Sequence, residues 1–148
     1  MTVFPWQKAA WQKLLSNPDK MPDVLLLDGP DGHGKLRFAQ CLAQSLLCLQ
    51  PDDDHTACGH CQSCYWFSTY NHPDYVFIGI AEESSTSDSS SKRHSGHILI
   101  EQIRALDDIV YQTTHLGKAR IVVIDQVDRL HPNAANAFLK KLEEPSLH

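Results

Sequence analysis

The first third of the chain combines helical apolar stripes with one short apolar run. Residues 5–15 carry apolar side chains at helical spacing, and Pro5 suits a first helical position because its missing N–H costs nothing there. The run at residues 24–27 is short and continuous, which is typical of a strand buried on both faces. A glycine-rich loop and a second helical stripe, from residue 35 to about 49, follow. The pattern predicts helix, strand and helix in turn.

The second half of the chain continues this alternation. Apolar runs at residues 76–80 and 121–125 predict two further strands. Ile103, Leu106 and Ile109 predict a helix between them, and a last helix begins near Pro132 and ends before Pro145. Because strands alternate with helices, the sequence predicts an α/β sandwich with a mainly parallel sheet.

A serine-rich stretch interrupts this pattern at about residues 82–97. It has too few apolar side chains to offset the entropy of ordering, so we expect a flexible loop. A phosphorylation or binding role is the alternative interpretation. The last helical pattern stops at Pro145, three residues before the final residue, and we expect the chain to be truncated at its C-terminal end.

Charge and hydropathy exclude some classes of protein. The 148 residues carry a formal net charge of −5 and show no basic stripe, which argues against a domain that binds DNA by itself. No apolar run approaches the roughly 20 residues that cross a bilayer, and the N-terminus lacks the pattern of a signal peptide. We therefore expect a cytoplasmic protein that does not contact a membrane.

The loop after the first predicted strand resembles a phosphate-binding P-loop. Its glycines let the backbone wrap a phosphate, and the lysine can reach the outer phosphates of a nucleotide; these residues are Gly29, Gly32, Gly34 and Lys35. The next position should carry a hydroxyl for magnesium, but it is Leu36. A glycine-rich turn without a ligand is the alternative, and binding of ATP or ADP stays open.

The run at residues 121–125 resembles the Walker B strand of AAA+ ATPases. In that family the aspartate at the strand end helps to hold magnesium, and Asp125 stands at this position. The next residue should be a glutamate that activates water, but Gln126 is a neutral amide that cannot act as a general base. We therefore expect no catalytic residues. Asp128, two positions further on, is the alternative candidate for the general base.

Four of the five cysteines have the spacing C-x9-C-x2-C-x2-C, within an insertion at about residues 48–66. Four thiolates complete the closed shell of structural zinc, and the predicted ligands are Cys48, Cys58, Cys61 and Cys64. His55 and His60 are rival ligands, and free reduced cysteines are the alternative. Cys41 lies inside a predicted helix and is more simply a thiol on the helix face.

These motifs occur in one order, together with two further segments at residues 72–75 (HPDY) and 133–145 (NAANAFLKKLEEP). In this combination the chain resembles the N-terminal AAA+ domain of the clamp loader subunits of bacterial DNA polymerase III. The resemblance covers nearly the whole chain, residues 1–148. It implies a three-layer P-loop sandwich with a small zinc insertion.

The departures in the two ATPase motifs favour one branch of this family. Gamma/tau subunits carry Ser or Thr after the P-loop lysine and a Walker B glutamate, whereas this chain has Leu36 and Gln126. The resemblance to the delta prime branch implies a stator-like, non-hydrolysing subunit. Its partners would be gamma/tau and delta in a five-subunit ring that loads the sliding clamp onto primed DNA. An active gamma/tau-type ATPase and a zinc-dependent nucleic-acid module are the alternatives.

Overall fold

The structure is a computed structural model, and it describes residues 2–16, 20–80, 96–110, 112–116 and 119–143. The predicted serine-rich loop, about residues 82–97, lies outside the described residues except for its last two positions. Pro145, the predicted stop of the last helix, also lies outside them. No helix in the described part of the chain is long and apolar enough to cross a membrane.

Helices and strands occur in the described residues in an order close to the predicted one. Two single 3-10 turns lie at Pro5–Gln7 and Val127–Arg129. The longer elements are α1 (Lys8–Leu15), α2 (Lys35–Leu47), α3 (Gln62–Ser68), β1 (Tyr75–Ile78), α4 (Ile100–Val110), β2 (Ile121–Ile124) and α5 (Pro132–Glu143). The four predicted helices and the two later predicted strands are therefore confirmed. Helix α2 ends earlier than predicted because Cys48 takes an extended conformation, with φ −61° and ψ 134°.

The strand predicted at residues 24–27 is wrong. None of these residues belongs to a strand, and Val24, Leu25 and Leu26 are 51%, 40% and 73% exposed. A strand needs a neighbour that takes up its backbone hydrogen bonds. Within the described residues, β1 and β2 pair only with each other, so this apolar run has no strand beside it.

Strands β1 and β2 form a small parallel sheet. Ile121 N donates to Asp74 O at 2.9 Å, and Asp125 N donates to Ile78 O at 2.8 Å. Both donors lie on the β2 segment four residues apart, and both acceptors lie on the β1 segment four residues apart, as parallel pairing requires. The structure thus shows a mixed helix and strand fold with a parallel sheet of two strands in the described residues.

The chain divides into two compact units. The first comprises Met1–Val76 and Thr114–Val123, and the second comprises Phe77–Thr113 and Ile124–His148. In the first unit, α2 contributes to two apolar clusters. One contains Trp11 and Phe38, whose rings meet edge to face at 5.7 Å, and the other contains Leu47 and Phe67. Burial of both faces of α2 explains its continuous apolar stripe.

In the second unit, α4 packs against α5. Ile98, Ile103 and Ala134 are fully buried there, and Leu106 is nearly so. Leu139, by contrast, lies on α5 but is 54% exposed.

Candidate metal centre and phosphate loop

The four predicted cysteine ligands lie together in the first unit. Cys48 follows the end of α2, Cys58 lies in the loop, Cys61 caps the N-terminus of α3, and Cys64 lies inside α3. Their four Sγ atoms all lie within 4.8 Å of one another. The measured Sγ–Sγ distances are 3.5 Å for Cys48–Cys58, 3.8 Å for Cys48–Cys61, 3.7 Å for Cys48–Cys64 and 4.0 Å for Cys58–Cys64.

These distances match the shell of a tetrahedral metal site. Four sulfurs at the Zn–S bond length of about 2.3 Å would lie about 3.8 Å apart along each edge of the tetrahedron. The Sγ–Sγ distances given above scatter around that value. A set of four thiolates leaves no open position for substrate or water, so the residues fit a structural metal ion.

The backbone of the cluster favours this arrangement. Gly59, inside the Cys58–Cys61 turn, has φ +78°, a left-handed conformation that glycine adopts without a steric penalty. Cys58 N donates to Cys48 Sγ at 3.4 Å, and Cys64 N donates to Cys61 Sγ at 3.5 Å. N–H donors of this kind stabilise negative charge on sulfur and fix the direction of the ligand.

The thiols differ in acidity because their surroundings differ. Burial acts to raise the pKa of Cys61, but hydrogen bonds from the backbone of Cys64 and Leu49 and from neighbouring thiols outweigh it and lower the pKa to about 6. Burial raises the pKa of Cys48 and of Cys64. A divalent ion would therefore have to displace protons from the buried thiols, which makes metal affinity depend on pH.

The rival ligands lie elsewhere. His60 directs Nδ1 to Cys58 O at 2.9 Å and is exposed. His55 is also exposed, and its carbonyl accepts a hydrogen bond from Ser45 Oγ. Cys41 is buried among the apolar side chains around Trp11, and burial raises its pKa, so the prediction of a thiol on a helix face is confirmed.

The predicted phosphate loop, with Gly29, Gly32 and Gly34, lies immediately before α2, and Lys35 is the first residue of that helix. Lys35 Nζ is directed at the loop itself: it donates to Gly29 O at 2.6 Å, to Pro30 O at 3.1 Å and to Asp31 Oδ1 at 3.3 Å. A bound nucleotide would require this ammonium group to exchange those partners for phosphate oxygens.

Residues 4–7, near the N-terminus, contact this loop. Gln7 Nε2 donates to His33 O at 3.0 Å and to Gly34 O at 3.1 Å. Gly34 has φ +80°, and a Cβ atom placed on it would lie 2.6 Å from the ring of Phe4. Phe4 in turn stacks on Trp6, with ring centroids 4.6 Å apart. Gly34 is therefore required both by its backbone conformation and by this close packing.

Leu36 packs into the core as part of the apolar stripe that the sequence predicts along α2. Its partly buried side chain packs against the cluster of Ala43, Leu47, Phe67 and Val123. A P-loop ATPase has at this position a hydroxyl that binds magnesium, whereas this chain has an apolar side chain that packs into the core. A continuous apolar stripe along α2 was the available signal for this role.

The Walker B-like residues belong to the second unit. Asp125 follows β2 and is partly buried, and Gln126 is exposed with φ +55°. Asp128 is exposed and lies 3.9 Å from Arg129 Nε. The pairing of Asp125 with the phosphate loop stays a prediction.

Asp74 is a buried charge whose structural role the sequence did not identify. Its carboxylate is 1% exposed and accepts hydrogen bonds from His115 N at 2.9 Å, from Leu116 N at 3.2 Å and from Arg120 Nη2 at 3.3 Å. Burial acts to raise the pKa of Asp74, but these donors outweigh it and lower the pKa. Its place in the HPDY segment was the only signal available.

A family model described as DNA polymerase III, delta subunit, matches residues 6–148. The chain belongs to this DNA polymerase III delta subunit family. The resemblance to clamp loader subunits is thereby confirmed.

Individual relatives in this family carry the name DNA polymerase III subunit delta'. The Pseudomonas aeruginosa protein is 37% identical over 144 residues, which are 97% of this chain and 40% of the relative. The Escherichia coli protein is 29% identical over 147 residues, 98% of this chain and 40% of the relative. The Bacillus subtilis protein is 31% identical over 137 residues, 90% of this chain and 37% of the relative. The chain thus spans about two fifths of the length of these curated relatives, and the gamma/tau alternative finds no support among them.

Proposed function

We propose that the chain is the N-terminal part of a delta'-type clamp loader subunit that does not hydrolyse ATP. The protein would act as a stator-like member of a five-subunit ring, beside gamma/tau and delta subunits. Through that assembly it would help to load the sliding clamp onto primed DNA in the cytoplasm. Membership of the delta subunit family supports this assignment.

One observation carries the non-hydrolysing part of the proposal. Leu36 stands at the hydroxyl position of the phosphate loop, and its side chain packs into the core of the first unit. Magnesium would lack its ligand from the protein at this position. Gln126 adds a second, separate defect because an amide cannot take a proton from the attacking water. Nucleotide held by Gly29, Gly32, Gly34, Lys35 and Asp125 would then be a structural ligand at most.

The fold proposed for residues 1–148 is an AAA+ N-terminal domain, a three-layer sandwich around a mainly parallel sheet. The parallel pair of β1 and β2 is consistent with that architecture.

We further propose that Cys48, Cys58, Cys61 and Cys64 hold one structural zinc ion. Zinc suits a closed set of four thiolates, and the spacing of the Sγ atoms agrees with Zn–S bonds of ordinary length. The loop between Cys48 and Cys58 contains few apolar side chains, so a metal ion would supply the stability that packing cannot give it.

Equilibrium binding of ATP to the full-length protein, with and without Mg²⁺, tests the proposed defect. Because Leu36 offers no oxygen, we expect Mg²⁺ to change the ATP affinity by no more than about twofold. Tightening by about tenfold or more would show that the loop is a working magnesium–nucleotide site and would overturn the proposal.

A further inference from the structure

Two buried side chains beside the metal cluster, Ser63 and His72, form a continuous chain of hydrogen bonds that ends at the backbone N–H of Asp74. Ser63 Oγ donates to Leu47 O at 2.7 Å, and His72 Nε2 lies 3.0 Å from Ser63 Oγ. Asp74 N donates to His72 Nδ1 at 3.0 Å. Since Nδ1 accepts this bond, the ring proton lies on Nε2 and is donated to Ser63. Ser63, His72 and Asp74 are 1%, 5% and 1% exposed.

One end of this chain is attached to the candidate metal ligands. Leu47 directly precedes Cys48, and Ser63 directly precedes Cys64. The hydrogen bond from Ser63 to Leu47 therefore joins the end of α2 to α3 at the two positions where those helices present sulfur to the cluster. A shift of α2 or α3 would therefore change the distances between the Sγ atoms and would at the same time break the hydrogen bond from Ser63 to Leu47.

The other end is attached to the segment that leads into β2. The carboxylate of Asp74 holds the backbone N–H groups of His115 and Leu116 and the side chain of Arg120, the residue before β2 begins. All these residues belong to the first unit. A buried network of hydrogen bonds has few other arrangements of similar energy, so the residues that these bonds join are expected to move together.

We propose that metal binding at the four cysteines is coupled through Ser63, His72 and Asp74 to the segment that begins β2. In this coupling Ser63 is a positioning residue for the metal site, although it is not a ligand. The inference rests on the proposed zinc site. Because coupling between two sites is reciprocal, loss of zinc loosens His115, Leu116 and Arg120, and damage to the hydrogen-bond chain weakens zinc binding.

Hydrogen exchange on the full-length wild-type protein tests the first half of this statement without any substitution. The amides of His115 and Leu116 report the bonds to Asp74, and the amide of Ala135, which donates to His131 O at 2.9 Å in the second unit, is the control. On removal of zinc with a chelator, we expect exchange at His115 and Leu116 to accelerate at least about tenfold and exchange at Ala135 to change less than about twofold. Equal acceleration at all three amides, or none at His115 and Leu116, would overturn the proposal.

Zinc affinity, measured by competition with a chelator, tests the second half. The matched variants are Ser63→Ala and Ser68→Ala, since both serines lie on α3 and both donate to a backbone carbonyl, but Ser68 is exposed and bonds to Tyr65 O. We expect Ser63→Ala to weaken zinc binding by about tenfold or more, and Ser68→Ala to leave it within about twofold of wild type. Circular dichroism of the zinc-loaded variants checks that both remain folded.

The outcomes separate this inference from the zinc proposal. If wild-type protein purified without a chelator contains no zinc, both proposals fail. If zinc is bound but Ser63→Ala and Ser68→Ala have equal affinity for it, only the coupling fails.

Discussion

Replacement of Asp74 by asparagine should cost the first unit a large part of its stability. The carboxylate is 1% exposed and accepts hydrogen bonds from the backbone N–H groups of His115 and Leu116. It also pairs with the guanidinium of Arg120, whose side chain is 8% exposed. Asparagine keeps one acceptor oxygen but turns an NH₂ group toward these donors and removes the charge beside Arg120. Breaking a buried ion pair by changing one partner costs about 3–5 kcal/mol, and the remaining acceptor places the expected loss near the lower end, about 3 kcal/mol.

Urea unfolding of the zinc-loaded protein, followed by tryptophan fluorescence, measures this loss. Asp31→Asn is the matched control because Asp31 also pairs with a basic side chain, Lys35 Nζ at 3.3 Å, but is fully exposed, so no resolvable change is expected. Equal unfolding free energies for the two variants would refute the conclusion that the buried carboxylate stabilises the fold.

The same experiment has a defined pH dependence. Because the folded pKa of Asp74 is lowered, the stability from its carboxylate is complete above the ordinary aspartate pKa of about 4. That contribution declines as pH falls from this value through the folded pKa. The difference between wild type and Asp74→Asn should therefore be constant near neutral pH and shrink in acid.

Four further substitutions test the metal site, the phosphate-loop position and the loop glycines. Cys61→Ser should abolish the tight binding of one zinc per chain, measured by metal analysis. Serine can still cap α3, so any loosening of this helix would follow from the loss of the metal. Leu36→Thr should not restore ATP hydrolysis because Gln126 still provides no base, and rapid ATP turnover by this variant would contradict the expectation. The lost packing of Leu36 should lower the unfolding free energy by about 1–2 kcal/mol. Gly34→Ala should destabilise the fold by about 2–3 kcal/mol, since φ is +80° and the new Cβ would lie 2.6 Å from an aromatic ring. Gly32→Ala, with φ +76° but open space, should cost only about 1 kcal/mol in the same unfolding assay.

The parts of the fold that the sequence predicted are those governed by local patterns. Helix α2 was predictable because its apolar side chains recur at helical spacing, and the cysteine cluster because two C-x2-C turns constrain four thiols to one region. The run at residues 24–27 was misassigned because a strand also requires a partner that is distant in sequence. Burial of Asp74 was missed because its donors, His115, Leu116 and Arg120, follow about 40 residues later.

We propose above all that the loop at residues 29–35 would support no ATP hydrolysis in an assembled clamp loader. The most direct measurement is ATP turnover and clamp loading by the reconstituted five-subunit assembly, with Lys35→Ala introduced into the full-length protein. A gamma/tau subunit with its own P-loop lysine replaced by alanine is the positive control. We expect the rates of ATP turnover and of clamp loading to stay within about twofold of those of the wild-type assembly, because Lys35 would assist no hydrolytic step. A loss of about tenfold or more, as in the control, would contradict it.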